Sequence, residues 1–265
     1  MEVHHHSHLA SGETHTLRKK WTHYFWEFLM LFFAVFCGFL AENQREHFIE
    51  KQRARQYAQS LINDLKSDTA MVSRIMRQAR RIVHQIDSLA ELLQGKGIKE
   101  IKNIDLYVFF SLDQMYRPYT WSRTTLEQIK NSGSIRYFSN DSIIKRISAY
   151  DAFTRHMDED YKNDEEGFRH FREAGSRVFD QNYPRKFKDA LDSNMDSLVQ
   201  TDYYNEMAIN GPGLLTNDIR DIKILVNTML SLREGLNIRH KSELPGLKEN
   251  AEELIILLKN EYHFK

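Results

Sequence analysis

Glu27 carries a carboxyl group within the longest apolar segment of the chain, residues 21–41 (WTHYFWEFLMLFFAVFCGFLA). Steps of three and four from Glu27 reach Leu31, Ala34, Gly38 and Ala41, so a helix places these five side chains on one face. We call these five residues the seam. Small residues at the spacing of Ala34 and Gly38 let two helices approach closely in lipid. The pattern therefore predicts a face that packs against another membrane helix.

Two other interpretations of Glu27 are open. Its side chain can extend toward lipid headgroups or meet His23, which lies one helical turn earlier. A carboxyl group at membrane depth can also relay protons, which would make the chain a subunit of a proton-coupled complex. The relay has the least support, because a lone glutamate does not form a chain of titrating groups.

Within the N-terminal segment, residues 1–20, the histidines His4, His5, His6 and His8 lie close together in sequence. Neutral imidazoles bind zinc, nickel or copper, so incidental metal affinity is expected. We predict a flexible His-rich tail for this segment, in which nothing fixes a coordination geometry, and an expression tag is an alternative explanation. A functional metal site is the weaker interpretation, and we predict no cofactor.

A second group of carboxyl side chains lies in the segment DEDYKNDEE, residues 158–166. Clustered carboxylates can hold a hard cation such as calcium, but the segment has neither EF-hand spacing nor a turn-forming glycine. We interpret it as a solvated helical face. His156, beside Glu159 and Asp160 in sequence, is interpreted as ordinary polarity on the same helix surface.

No pattern in the chain requires a reaction. The sequence contains no HExxH, GxSxG or GxGxxG motif and no glycine-rich phosphate loop. Its single cysteine, Cys37, lies in the apolar segment, so no cysteine nucleophile or disulfide is predicted in the rest of the chain. Lysine plus arginine and aspartate plus glutamate both number 37, which leaves no basic footprint for nucleic acid. We predict neither an enzyme nor a nucleic-acid-binding protein.

The apolar segment itself is long enough to cross a membrane, since about 21 residues rising 1.5 Å each match a hydrocarbon core of roughly 30 Å. A cleaved signal peptide is an alternative, but the strongly helix-forming ENQREHFIEKQRARQYAQ follows without proline or glycine. A buried helix of a soluble protein is another alternative, but phenylalanine covers every face of the segment. We predict a transmembrane helix at 21–41, with the lipid bilayer as its partner.

The flanking charges give little information on orientation. Arg18, Lys19 and Lys20 precede the apolar segment, and a similar number of basic residues follow it. Long domains cross membranes largely regardless of charge, so the short cationic tail decides the prediction. We predict a protein of the inner (plasma) membrane with its N-terminus in the cytoplasm and residues 42–265 in the periplasm.

The rest of the chain has the composition and spacing of helices. Apolar residues recur at steps of three and four over about 42–94, 140–179 and 216–262, with shorter helices between them. Gly133 is predicted to end one helix, either Ser139 or Asn140 to cap the start of the next, and Pro245 to kink or break the last one. The fold class predicted is all-α: one N-terminal transmembrane helix continuing into a long helix of an elongated antiparallel helical bundle, with the short helices packed around Trp121 at one end.

Three patterns occur in order along residues 18–155: an apolar anchor with a glutamate near its start, a helix containing SLINDLKSD, and the central segment TTLEQIKNSGSIRYFSNDSIIKRISAYD. In this order they resemble families of single-pass, N-terminally anchored helical membrane proteins of Gram-negative bacteria whose function is unknown. The resemblance implies the fold and a membrane location, and it implies no activity. The residues that carry it are Glu27, Leu61, Asp64, Leu65, Thr125, Ser132 and Gly133.

The functional hypothesis that follows is a membrane-anchored scaffold or interaction protein of the bacterial cell envelope. A long amphipathic helix needs other helices to cover its apolar stripe, and the seam suggests a homo-oligomer or an envelope protein partner. The alternatives are a periplasmic sensor, whose bundle binds a small ligand, and a subunit of a proton-coupled membrane complex that uses Glu27.

Overall fold

The computed structural model describes residues 17–95, 103–110, 118–183 and 202–264. Every regular element in these ranges is helical, and none is a strand. The predicted all-α fold, with one long N-terminal helix followed by helices that pack together, is therefore confirmed.

The helices are bounded as follows. In chain order they are α1 (Leu17–Gln94), α2 (Asn103–Phe110), α3 (Thr124–Asn131), a 3₁₀ turn (Ser134–Tyr137), α4 (Asp141–Gly175), α5 (Asp202–Asn210), α6 (Ile219–Ile238), a π-helical segment (Arg239–Glu243) and α7 (Leu244–Tyr262).

The first of two compact units ends at Arg53 and, among the described residues, consists of the first part of α1. Residues 21–48 are exposed apart from the half-buried Leu29. The helix contains an 18-residue window with a mean hydropathy of 1.9, and it is therefore long and apolar enough to cross a membrane. Phenylalanine rings four residues apart lie face to face along one side, with the centroids of Phe32 and Phe36 5.9 Å apart. Such a surface is typical of a helix surrounded by lipid.

The second unit, which begins at Ala54, is a helical bundle with two groups of buried side chains. The first core cluster combines residues 58–75 of α1 with α3, residues 143–157 of α4 and residues 244–258 of α7. The second core cluster combines residues 82–93 of α1 with α2, residues 168–174 of α4 and residues 222–236 of α6.

The order of these contacts gives the helix directions. The earlier parts of α1 and α4 both lie in the first core cluster and their later parts in the second, so α1 and α4 run parallel. In the C-terminal part of the chain, α6 lies in the second core cluster and α7, which follows it, lies in the first. These two helices together therefore run antiparallel to α1 and α4. Such an arrangement requires the chain to return between α1 and α4, and it does so from α2 in the second cluster to α3 in the first.

We predicted that the short helices pack together around Trp121, and this prediction is wrong. The indole packs against the first core cluster, where α3 lies, whereas Ile104, Tyr107 and Phe110 of α2 are buried in the second. The two short helices therefore bury their apolar side chains in different core clusters, because each packs against a different part of the long helices.

The predicted helix ends at Gly133 and Asn140 are confirmed. Gly133 has φ of 66°, in the left-handed region where glycine avoids the steric cost of a Cβ atom. The Asn140 side chain accepts a hydrogen bond from the Ser142 backbone N–H at 3.0 Å and so caps α4. The predicted helix at 184–199 lies outside the described residues.

Pro245 does not break the C-terminal helical region, because α6, the π-helical segment and α7 follow one another without a gap. It lies in the first turn of α7, directly after the π-helical segment. The Leu244 N–H bonds to the Arg239 carbonyl, one residue further back than in an α-helix. A widened turn at this point accommodates a proline, which lacks an N–H and would otherwise crowd the preceding turn.

Gly175 at the end of α4 gives a first testable prediction. A Cβ atom at this position would overlap the ring of Phe110, which is itself held between Phe171 and Phe179. We expect Gly175→Ala to lower the unfolding free energy of the bundle by about 1–3 kcal/mol through overpacking. Chemical denaturation followed by circular dichroism measures this value.

The matched control is Gly246→Ala, where the added Cβ would lie 3.6 Å from Phe153, an ordinary contact. Because alanine also favours the helical state, this variant should be neutral or stabilising. Equal destabilisation of both variants would show that the contact between α2 and α4 is not tight.

Candidate functional site

The five seam residues, Glu27, Leu31, Ala34, Gly38 and Ala41, are all exposed on α1. A Cβ atom built at Gly38 meets no atom within 4 Å. His23 Nδ1 lies 3.2 Å from Glu27 Oε1, which is the local pairing considered from the sequence. The seam is therefore available to a second helix, and Glu27 has a neighbour within its own helix. His4, His5, His6 and His8 lie outside the described residues.

A second group of polar residues fixes the connection that leads into α3. Asp68 is 2 % exposed on α1, and its two carboxyl oxygens accept hydrogen bonds from the Ser122 N–H at 2.8 Å and the Tyr150 hydroxyl at 2.6 Å. Burial, then the nearby charge of Asp68, raises the pKa of Tyr150, so this hydroxyl keeps the proton that it donates. Asp68 thus joins α1, α4 and the segment before α3.

Asp64, one turn before Asp68, accepts a hydrogen bond from the Thr125 N–H at 3.3 Å. The N-cap residue of α3, Arg123, makes no side-chain cap of its own. The free N–H groups of a helix start need acceptors, and here α1 supplies one. Asp64 and the Thr125 backbone therefore have a structural role in this chain.

Asp158 of α4 holds the same connecting segment from the other side. Its carboxylate accepts hydrogen bonds from Trp121 Nε1 at 2.8 Å and from the Arg123 guanidinium at 2.5 Å. The carboxylates of Asp64, Asp68 and Asp158 thus all accept hydrogen bonds from this segment or from the start of α3. They explain how α3 is positioned and do not form a reactive site.

The most concentrated group of buried charge lies where α4 meets the π-helical segment. Arg239 is 8 % exposed and contacts three carboxylates: Asp160 at 3.0 Å, Asp164 at 3.2 Å, and Glu243. Burial opposes the charge of Arg239, but these neighbours outweigh it and raise the pKa of the guanidinium. Burial also raises the pKa of Asp160, in spite of Arg239.

The two carboxylates of Asp160 and Glu243 divide their oxygens between two partners. Asp160 Oδ1 and Glu243 Oε2 face Arg239, whereas Asp160 Oδ2 and Glu243 Oε1 face His156. His156 Nε2 lies 3.2 Å from Asp160 Oδ2 and 3.5 Å from Glu243 Oε1. The imidazole side chain is 56 % exposed, so this group of atoms lies at the surface of a buried ion cluster.

These contacts correct two predictions from the sequence. The segment 158–166 is not simply a solvated face, because Asp160 and Asp164 are buried and Asp158 is half-buried. His156 is also not an ordinary polar residue of the helix surface, because Glu243, from the C-terminal part of the chain, lies beside its imidazole. Asp160 and Asp164 lie at the helical spacing of the apolar stripe of α4, and any side chain on that stripe faces the bundle. Their burial could therefore have been predicted from their positions in the sequence.

A cleft of about 680 Å³ lies beside this cluster, between α4 and α6. Its lining includes Asn163, His170, Asn227, Ser231 and Arg239. A second cleft, of about 630 Å³, is lined in part by His156, Asp158 and Tyr119. Both clefts present polar side chains to solvent, and the arrangement can bind polar groups or cations. It presents no nucleophile paired with a base among the described residues.

Comparison with family models, with curated proteins and with solved structures finds no match to this chain.

Proposed function

We propose that this protein is a membrane-anchored scaffold or interaction protein, in which α1 fixes a helical bundle to a bilayer and associates with another membrane helix. One observation carries the proposal: α1 has a continuous apolar surface over 21–41 that no other described part of the chain covers. A helix of this kind requires lipid or another helix around it.

The bundle supports the same proposal. Its long helices bury their own apolar stripes in two core clusters, so the bundle does not need α1 residues 21–41 for its core. The small side chains of Ala34 and Gly38 allow the close approach of a second copy or of a membrane partner. The proposal places the protein in the inner membrane of a bacterial envelope, with the bundle in the periplasm.

Gly38 provides the variant that tests this association. Gly38→Ile is expected to weaken the oligomer or partner complex by about tenfold or more, because the branched side chain separates the two helix backbones. The protein itself has room for the new side chain, since an added Cβ meets nothing within 4 Å. Cross-linking in native membranes, read as the ratio of complex to monomer, measures the effect.

Phe36→Trp is the matched control, because Phe36 lies on the helix face opposite Gly38 and the change also enlarges a side chain. We expect it to leave cross-linking unchanged. If Gly38→Ile also leaves cross-linking unchanged, the seam is not an association surface.

A second function, sensing of a small polar ligand, is supported by the cleft between α4 and α6. Its polar lining includes the amides of Asn163 and Asn227 and the guanidinium of Arg239. A ligand held there would contact the π-helical segment, and irregular turns of this kind are frequent at functional sites. We rank it second because the exposed apolar part of α1 has no role in it beyond anchoring.

A further inference from the structure

The atoms that surround His156 have the arrangement of metal ligands. His156, Asp160 and Glu243 each offer one ligand atom, and these three atoms lie within 4.8 Å of one another. A tetrahedral zinc site with bonds of about 2.0–2.1 Å has about 3.3 Å between neighbouring ligand atoms. The two distances from His156 Nε2, 3.2 Å and 3.5 Å, are close to that value.

The buried oxygen of Asp160 gives a second, independent indication. Asp160 is 7 % exposed, and its Oδ2 atom is buried without a hydrogen-bond partner among the described residues. A buried polar atom without a partner is costly and calls for an explanation. His156 Nε2 lies 3.2 Å away but does not hydrogen-bond to it, whereas a cation between the two atoms would satisfy both.

The remaining oxygens of the two carboxylates are already held. Arg239 contacts Asp160 Oδ1 at 3.0 Å and also binds Glu243 Oε2. Carboxylate ligands of metals are commonly oriented by such outer contacts, which fix the direction of the ligating oxygen. Arg239 therefore positions both carboxylates toward His156.

The charge of the cluster is also suited to a dication. Asp160, Asp164 and Glu243 contribute three negative charges against the single positive charge of Arg239. A divalent cation would balance the two negative charges that remain. Nitrogen and oxygen ligands together favour a first-row transition metal such as zinc over calcium or magnesium.

We propose that His156 Nε2, Asp160 Oδ2 and Glu243 Oε1 bind a divalent transition-metal cation, with one coordination position open to solvent. The site connects α4 to the π-helical segment and so fixes the C-terminal helix against the middle of the chain. Because His156 is more than half exposed, the cation can enter from solvent.

The test uses the full chain in detergent, with His4, His5, His6 and His8 replaced by serine so that the N-terminal tail does not bind metal. Zinc is titrated in competition with a chromophoric chelator, and metal content is measured after dialysis. We expect one equivalent of zinc per chain. His156→Ala should weaken zinc binding by at least about tenfold.

His170→Ala is the matched control. His170 Nε2 lies 4.0 Å from Glu166 on the same helix, but it has no carboxylate from the C-terminal helix beside it. This variant should bind zinc as the parent does. Equal binding by the parent and His156→Ala, or no zinc bound by the parent, would overturn the proposal.

Two further measurements separate metal binding from loss of structure. Zinc should raise the melting temperature of the parent and of His170→Ala, and leave that of His156→Ala unchanged. Cobalt bound to the parent should give the strong visible absorption of a tetrahedral site, and Glu243→Gln should reduce it. A melting temperature that does not respond to zinc in the parent would contradict the site even if the variants fold.

Discussion

Arg239→Met is expected to lower the unfolding free energy of the bundle by about 3–5 kcal/mol, because it leaves buried carboxylates without their counter-charge. Arg239 is the cation that Asp160, Asp164 and Glu243 share. Methionine keeps much of the side-chain volume, so the loss reports the charge rather than a cavity. Urea denaturation of the full chain in detergent, followed by circular dichroism, measures it.

The same variant has a predicted pH dependence. Burial already raises the pKa of Asp160 in the parent, and the loss of the Arg239 charge, which opposes this rise, raises its folded-state pKa further above the unfolded value. A carboxyl group with a raised folded pKa contributes stability below its unfolded pKa, and that stability is lost as pH rises through the folded pKa. The difference between the variant and the parent should therefore shrink as pH falls from about 7 to about 4.

Arg155→Met is the matched control for this substitution. Arg155 pairs with Asp151 at 2.9 Å on the same helix, but its side chain is 61 % exposed. Exposed pairs contribute less than about 1 kcal/mol, so a small and nearly pH-independent effect is expected. If Arg239→Met costs no more than Arg155→Met, the buried cluster does not depend on its guanidinium.

Asp68→Ala is expected to cost about 2–4 kcal/mol, because it leaves two buried donors without an acceptor. The Ser122 N–H and the Tyr150 hydroxyl both bond to this carboxylate. Asp68→Asn keeps one acceptor oxygen and the shape of the side chain, so it should cost roughly half as much. Denaturation curves of the two variants and the parent, recorded in one detergent, give the comparison.

Glu91→Ala serves as the control, because Glu91 is an exposed acidic residue of the same helix. Its replacement should be nearly neutral, since alanine favours helix and no core contact is lost. Equal stability of Asp68→Ala and the parent would mean that α3 and its connection are held without Asp68.

The sequence predicted the parts of the fold that depend on local pattern. The apolar segment at 21–41, the long amphipathic continuation to Gln94, the left-handed Gly133 and the cap at Asn140 each follow from residues close together in the chain. The parallel course of α1 and α4 was not predicted, because apolar spacing gives the buried face of a helix but not the direction of its neighbour.

The buried charges were harder to predict for a different reason. Asp68 breaks the apolar stripe of α1, and Arg239 follows Leu232 and Leu236 on the stripe of α6, so both positions could be recognised as inward-facing. Their partners could not, because Tyr150 and Asp164 are distant in sequence. Asp160 was predicted to lie on a solvated face together with the rest of the polar segment 158–166, in which Glu159 and Glu165 are indeed exposed.

The seam and the buried cluster suggest different roles for the exposed part of α1 and for the bundle. In our proposal, the exposed part of α1 supplies both the membrane contact and the contact with another helix. In the bundle, Arg239 and its carboxylates join α4 to the π-helical segment that precedes the C-terminal helix. Neither task requires a chemical reaction.

The most direct test of the proposed function is in-membrane cross-linking of the full chain, followed by purification in mild detergent and accurate mass of the intact assembly. Mass spectrometry of the cross-linked peptides identifies what lies beside α1. The proposal predicts a defined homo-oligomer or a stoichiometric membrane partner, with cross-links from the part of α1 that carries Ala34 and Gly38. A monodisperse monomer without a partner would contradict it.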